Sequence, residues 1–132
     1  LPNASGDVDQ MLQVFQNILK NACEAISKDR GKIKICTSYN SGVRYTISGD
    51  QSEILPLQIE IIDNGSGIPD NIINEIFEPF VSSKVNGTGL GLAFVSKIIT
   101  SHGGLIECTS HNAGTKFILR LPVSKKSSKD KI

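Results

Sequence analysis

Two glycine-rich loops carry the chemistry that this sequence offers. The first reads Asp63-Asn64-Gly65-Ser66-Gly67-Ile68-Pro69 and the second Gly87-Thr88-Gly89-Leu90-Gly91-Leu92. Asp63 follows the apolar run Leu57, Ile59, Ile61, Ile62, which puts its carboxylate at the end of a strand, where it can accept a hydrogen bond from an exocyclic amine. Gly65 and Gly67 permit positive φ and let a flat ring approach the backbone closely. The second loop runs directly into the helical pattern Leu92, Val95, Ile98, Ile99. Its unpaired N–H groups and the positive end of the helix dipole then converge on one point, which suits phosphate. Singly, each loop also reads as an ordinary turn, because Asp-Asn-Gly and glycine clusters are common in loops. Together they describe a pocket for a nucleotide.

A third set of polar groups lies upstream. Asn17 and Asn21 are four residues apart and share one helix face, beside an apolar stripe, and Glu24 extends that line. On an arbitrary helix such a pair belongs to a solvated face; beside two glycine loops, the Asn21 amide oxygen is a candidate ligand for Mg²⁺, which takes oxygen donors and keeps phosphates as co-ligands.

The elements that must position these groups follow from periodicity. Asp7 with Gln10 three residues on predicts a capped amphipathic helix through Val8, Met11, Leu12, Phe15, Leu19, Ala22 and Ile26, ending near Gly31. Strands are expected at 32–39, 43–47 and 57–62, with Asn40-Ser41-Gly42 as a hairpin turn between the first two and 48–53 as an exposed loop. Asp70 after Pro69 predicts a short capped helix through Ile72, Ile73 and Ile76, closed by Phe77 and Phe80. The segment between Phe80 and Gly87 is polar and reads as a mobile lid, with Lys84 its only cation. A helix from Leu90 to about His102 should stop at Gly103-Gly104, and two further strands, Leu105 to Thr109 and Lys116 to Leu121, should be joined by a turn at His111-Asn112-Ala113-Gly114. Three helix patterns and five strand patterns fit a two-layer α/β sandwich with the helices on one sheet face.

Size and composition allow one domain and little else. The 132 residues are 39% hydrophobic, a globular share, and contain no apolar run of the roughly 18 residues that a membrane span needs. A net charge of +1 provides no large field for nucleic acid or a membrane surface, although residues 123–132 form a basic tail beyond a domain at 1–122. Cys23, Cys36 and Cys108 are odd in number and lack C-x-x-C spacing, which points away from a disulfide framework or zinc site and towards a reducing cytoplasm. Leu1-Pro2 is an unusual native start, which raises the expectation of a piece of a longer protein.

The order of these features, Asn17 and Asn21 on the first helix, DNGSGIP, Phe77-Glu78-Pro79-Phe80, then GTGLGLA, resembles the N, G1, F and G2 boxes of sensor histidine kinase catalytic (HATPase_c) domains, members of the GHKL ATP-binding superfamily. The resemblance spans residues 7 to 121, and FEPFVSSK with NACEAI is most similar to the nitrogen-regulation type. It implies the Bergerat fold, a mixed five-stranded sheet with three helices on one face, and the cofactors ATP and Mg²⁺. It further implies Asp63 as the adenine-selecting residue, Gly65, Gly67 and Ile68 as its slot, and Asn21 as the Mg²⁺ ligand with Asn17 beside the triphosphate. Phosphate contacts would come from Lys84, Gly87, Thr88, Gly89, Leu90, Gly91 and Leu92, with Phe80 at the lid and Thr115, from the Gly114-Thr115 pair, near adenine. Asn17, Asn21 and Lys84 would act in catalysis. The implied partners are a histidine-bearing dimerisation domain, which makes the full-length protein a homodimer, and a response regulator. Neither His102, followed by Gly103, nor His111, followed by Asn112, matches a phosphoacceptor, which is followed by an acidic residue on a dimerising helix. The rival readings are an ATP hydrolase of the same superfamily, which carries a glutamate at the position of Asn17, and a serine kinase or binding module of the anti-sigma kind.

Overall fold

The computed structural model describes residues 1–49, 51–82, 89–111 and 113–124, and of residues 47, 48 and 111 the backbone alone. Helix α1 spans Val8–Ala25, with the Asp7 carboxylate accepting from the Gln10 N–H. Strand β1 is Ile33–Tyr39, β2 Arg44–Ser48, β3 Gln51–Ile54 and β4 Leu57–Asp63. A 3₁₀ turn at Ile73–Glu75 precedes α2 (Gly91–Ser101), β5 (Leu105–His111) and β6 (Gly114–Leu121).

Among the described residues the main sheet has four strands, in the order β1-β4-β6-β5, and every pairing is antiparallel. The implied mixed five-stranded sheet is corrected here. The expected β1–β2 hairpin does not form, because β2 pairs as a separate ribbon with β3, most of which falls in the stretch expected to be loop. Asn40-Ser41-Gly42 turns the chain away from the sheet: the Asn40 side chain accepts from the Gly42 N–H at 3.0 Å, while the Asn40 N–H donates to Pro56 O at 2.8 Å. Residues 41–55 are thus an excursion between paired strands β1 and β4. Tyr45 of the ribbon stacks on the Arg120 guanidinium at 4.7 Å, on the sheet face away from the helices.

Paired residues share a face, so Ile61 and Phe117 lie in one row with Cys108, Ile59 and Leu119 in the next with Ile106, and Leu57 with Leu121 in the one after. Against these rows α1 buries Met11, Val14, Ile18 and Ala22, and α2 buries Val95, Ile98 and Ile99. The buried stripe of α1 is rotated from the expected one, since Val8 and Leu12 are exposed. α1 also ends at Ala25, short of Gly31. Ile26 is extended, and Ser27 captures the next turn by accepting from the Arg30 N–H through its hydroxyl and from Gly31 N–H through its carbonyl. The helix expected after Asp70 contracts to the 3₁₀ turn, with both Ile72 and Ile73 N–H groups on Pro69 O and no side-chain cap, leaving, among the described residues, two α-helices and one short turn where three helices were expected. α2 ends as expected: Gly103 has φ 76°, its N–H bonds Thr100 O, and Gly104 N–H bonds Ile99 O.

Candidate functional site

Asp63 is the last residue of β4, 5% exposed, with β1 on one side and β6 on the other. Its Oδ1 accepts from the Gly65 N–H at 2.8 Å, which folds the first glycine loop back over the strand end. Asn64 fixes the same loop from outside, accepting from Lys32 N–H at 2.7 Å and donating to Arg30 O at 2.8 Å. Gly65 is required for a reason other than an approaching ring: a Cβ there would lie 2.5 Å from Ala25 O, the carbonyl that accepts from Ser66 N–H. Gly67 takes φ 79°. The early end of α1 therefore seats the loop.

Thr115 is the cross-strand partner of Asp63 and is equally buried. Ser110, to which the sequence reading gave no part, joins this group: its Oγ accepts from Ile68 N–H at 2.6 Å and lies 3.2 Å from Thr115 Oγ1. Nothing in its own type signals this; the β5–β6 register does. Cys108 stands in the next row, and burial, then the nearby Asp63 carboxylate, pushes its thiol up to about 12.

At the other end, α2 starts at Gly91 behind Leu90, whose side chain makes no cap hydrogen bond. Asn17 of α1 donates through Nδ2 to Gln13 O at 2.8 Å, and its Oδ1 would stand 2.8 Å from a Cβ built on Gly91. The absent Cβ lets the amide oxygen and the helix start approach each other. Gly89 has φ 72° and accepts from the Phe80 N–H at 2.9 Å, so the chain leaves for the segment 83–88 and returns at one joint.

Between the two ends lies a cavity of about 460 Å³. Asn17, Asn21 and Glu24 line it from α1, and Asp63, Gly67 and Ile68 from the first loop. Gly89, Gly91 and Leu92 border it from the second loop, with Thr115 and Phe117 from β6. Its apolar wall includes Ile72 and Ile76, and the unexpected polar members are Lys20, Ser66 and Ser82. Phe77, half-buried, meets Phe117 edge to face at 6.3 Å, whereas Phe80 is 79% exposed with φ 68° and stands outside the lining, as do Gly65 and Leu90. Lys84, Gly87, Thr88 and most of the expected lid lie outside the described residues.

Residues 6–125 match the family described as "Histidine kinase-, DNA gyrase B-, and HSP90-like ATPase". The chain belongs to this family. Within it, this ATP-binding domain is of the histidine kinase catalytic type, homologous to NtrB. It is 51% identical over 126 residues to the sensory histidine kinase/phosphatase NtrB of Rhodobacter capsulatus, covering 96% of this chain and 35% of that protein. To NtrB of Rhizobium leguminosarum bv. phaseoli it is 45% identical, covering 97% of this chain and 34% of that protein. The chain thus spans about a third of the length of these relatives. Among solved structures, the catalytic domain of histidine kinase ThkA superposes with TM-score 0.70 at 31% identity, over 91% of this chain and 70% of that one. Full-length ShkA in complex with AMPPNP gives 0.73 at 25% identity, over 96% of this chain and 24% of that one. Among the described residues, no helix of the ATPase domain is long and apolar enough to cross a membrane.

Proposed function

We propose that this domain binds Mg-ATP in the cavity between α1, the first glycine loop and the start of α2, and passes the γ-phosphoryl group to a histidine on a separate dimerisation domain of a homodimeric, cytoplasmic two-component kinase. A response regulator is the onward acceptor. The observation that carries the reading is that a buried carboxylate acceptor, an apolar wall and the start of α2 border one cavity of nucleotide size.

Asp63 accepts the adenine amine, Ile68 and Phe117 border the base, and the α2 start with Gly89 and Gly91 holds phosphate. The residues present fit a Mg²⁺ ion: α1 lines the cavity with the oxygen-bearing side chains of Asn21, Asn17 and Glu24, and Asn21 would hold the metal. No cluster of three His, Cys, Asp or Glu occurs among the described residues, which suits an ion that arrives with its phosphates. When bound, Mg²⁺ neutralises charge on the phosphate oxygens.

Asn17 separates transfer from hydrolysis. Its amide nitrogen is committed to Gln13 O, and an amide accepts no proton at neutral pH, so Asn17 orients the triphosphate but does not activate water. Of the two histidines, His102 is occupied as the cap of α2: one ring nitrogen lies 2.8 Å from Ile98 O and the other accepts from Asp7 N–H at 3.0 Å. The phosphoacceptor belongs to another domain. With radiolabelled ATP, the isolated domain should release phosphate very slowly and remain unlabelled, while addition of the histidine-bearing domain should yield an acid-labile phosphoprotein. Rapid multiple-turnover hydrolysis by the isolated domain, abolished by Asn21→Ala, would overturn transfer in favour of hydrolysis.

A further inference from the structure

Ser110 Oγ sits where three groups meet: Ile68 N–H at 2.6 Å, Thr115 Oγ1 at 3.2 Å and Gly114 O at 3.3 Å. A hydroxyl has one hydrogen and two lone pairs. Ile68 N–H takes one lone pair, which leaves two arrangements for the rest. In one, Ser110 donates to Gly114 O and Thr115 donates to Ser110, so Thr115 shows only lone pairs to the cavity. In the other, Ser110 donates to Thr115 Oγ1, and the Thr115 hydrogen turns outward into the cavity.

Resting on the ATP-site reading above, we propose that Ser110 is a positioning residue for base recognition: by donating to Thr115 it makes that hydroxyl a donor beside the Asp63 carboxylate. Asp63 and Thr115 are cross-strand partners on one face, so acceptor and donor stand side by side. Their polarity matches the edge of adenine, where an exocyclic amine adjoins the ring nitrogen N1, an acceptor. Guanine presents a carbonyl and an N1–H in those places and meets the reverse polarity at both. When adenine binds, the 3.3 Å bond to Gly114 O is exchanged for a bond from Thr115 to N1, and each hydroxyl hydrogen keeps an acceptor. The bond from Ile68 N–H occupies one Ser110 lone pair and orients the hydroxyl, so its single hydrogen turns either to Gly114 O or to Thr115 Oγ1.

Calorimetry with ATP and with 1-deaza-ATP, in which N1 is replaced by C–H, tests this on the intact domain. Ser110→Ala should weaken ATP about tenfold, the worth of one hydrogen bond, and leave 1-deaza-ATP within about twofold of the wild type; Ser110→Thr, which keeps the hydroxyl, should restore ATP affinity. A merely structural serine would weaken both nucleotides alike, and that result overturns the relay. Should Ser110→Ala unfold, Thr115→Val and Thr115→Ser supply the same comparison, and ATP and 1-deaza-ATP binding equally well to the wild type overturns it too. A wild-type domain that binds 1-deaza-ATP but rejects ATP, or binds neither, overturns the ATP-site reading and this inference with it.

Discussion

The two ends of the cavity are built on different principles. At the end holding Asp63, the backbone itself is pinned: Gly65 to Asp63, Ser66 to Ala25, Ile68 to Ser110, and Asn64 to two residues of the α1–β1 connection. These bonds tie the loop to α1, the connector and two sheet strands, β4 and β5, at once. At the end holding Gly91, the geometry rests on α1 lying against α2, with Asn17 presented to a helix start whose N-cap side chain makes no hydrogen bond. The first end is preorganised, which suits the base discrimination proposed for it, because a buried carboxylate must meet its partner without rearrangement. The second is a helix start, which favours anions and is where phosphate is proposed to bind. Disturbing the first end should therefore cost stability, and disturbing the second should cost binding alone.

Glycine substitutions give the largest contrast. Gly114 has φ 134°, and a Cβ there would fall 1.9 Å from Asp63 O. Strain and overpacking together predict that Gly114→Ala loses roughly 3 kcal/mol or more in urea unfolding. Gly91→Ala meets only the end of the Asn17 side chain, and should unfold within about 1 kcal/mol of wild type while binding ATP severalfold more weakly. Equal losses of stability at the two positions would dissolve the comparison.

Asp63→Asn sharpens the base end. It replaces an acceptor-only group with one that also donates, and leaves site groups mispaired at about 1–3 kcal/mol, so ATP affinity should fall roughly 10- to 100-fold, with the ATP-over-GTP preference reduced in a competition assay. A retained preference would take adenine selection away from Asp63. At the phosphate end, Asn21→Ala should abolish the strengthening of ATP binding by Mg²⁺ while leaving metal-free binding within a fewfold of wild type; unchanged Mg²⁺ dependence in calorimetry would remove the metal role.

The effect that is negligible at neutral pH concerns Cys108, in the row next to Asp63. Its thiol is raised from 9.0 to about 12, so the native state keeps a proton that the unfolded chain loses. That contribution to stability is fully present below pH 9 and is lost as pH rises towards 12, so unfolding curves should show a decline over that window that Cys108→Ala lacks. A thiol-specific reagent at neutral pH should modify exposed Cys23 well before Cys108.

Much of this molecule is written locally. Asp7 at the start of α1, the strand ending in Asp63, the glycine stop after α2 and the β5–β6 hairpin each depend on short-range rules: a cap, an apolar period, a residue free to take positive φ. The order of four boxes was enough to assemble Asn17, Asn21, Asp63 and Gly91 around one site. Tertiary structure decided what local rules leave degenerate. β1 was free to pair with either neighbour of like pattern, and the turn at Asn40 with the bond to Pro56 O chose β4. The stripe of α1 was rotated by what the sheet could bury, which turned Val8 and Leu12 outward. Phe77 and Phe80 bracket one proline, yet one packs on Phe117 and the other stands in solvent, because only one direction from that loop leads to the core. Ser110 gained its place from register alone: five residues from Thr115 in sequence, it becomes its neighbour once β5 folds back on β6, and no pattern in the chain announces a hydroxyl whose partners are fixed by strand pairing.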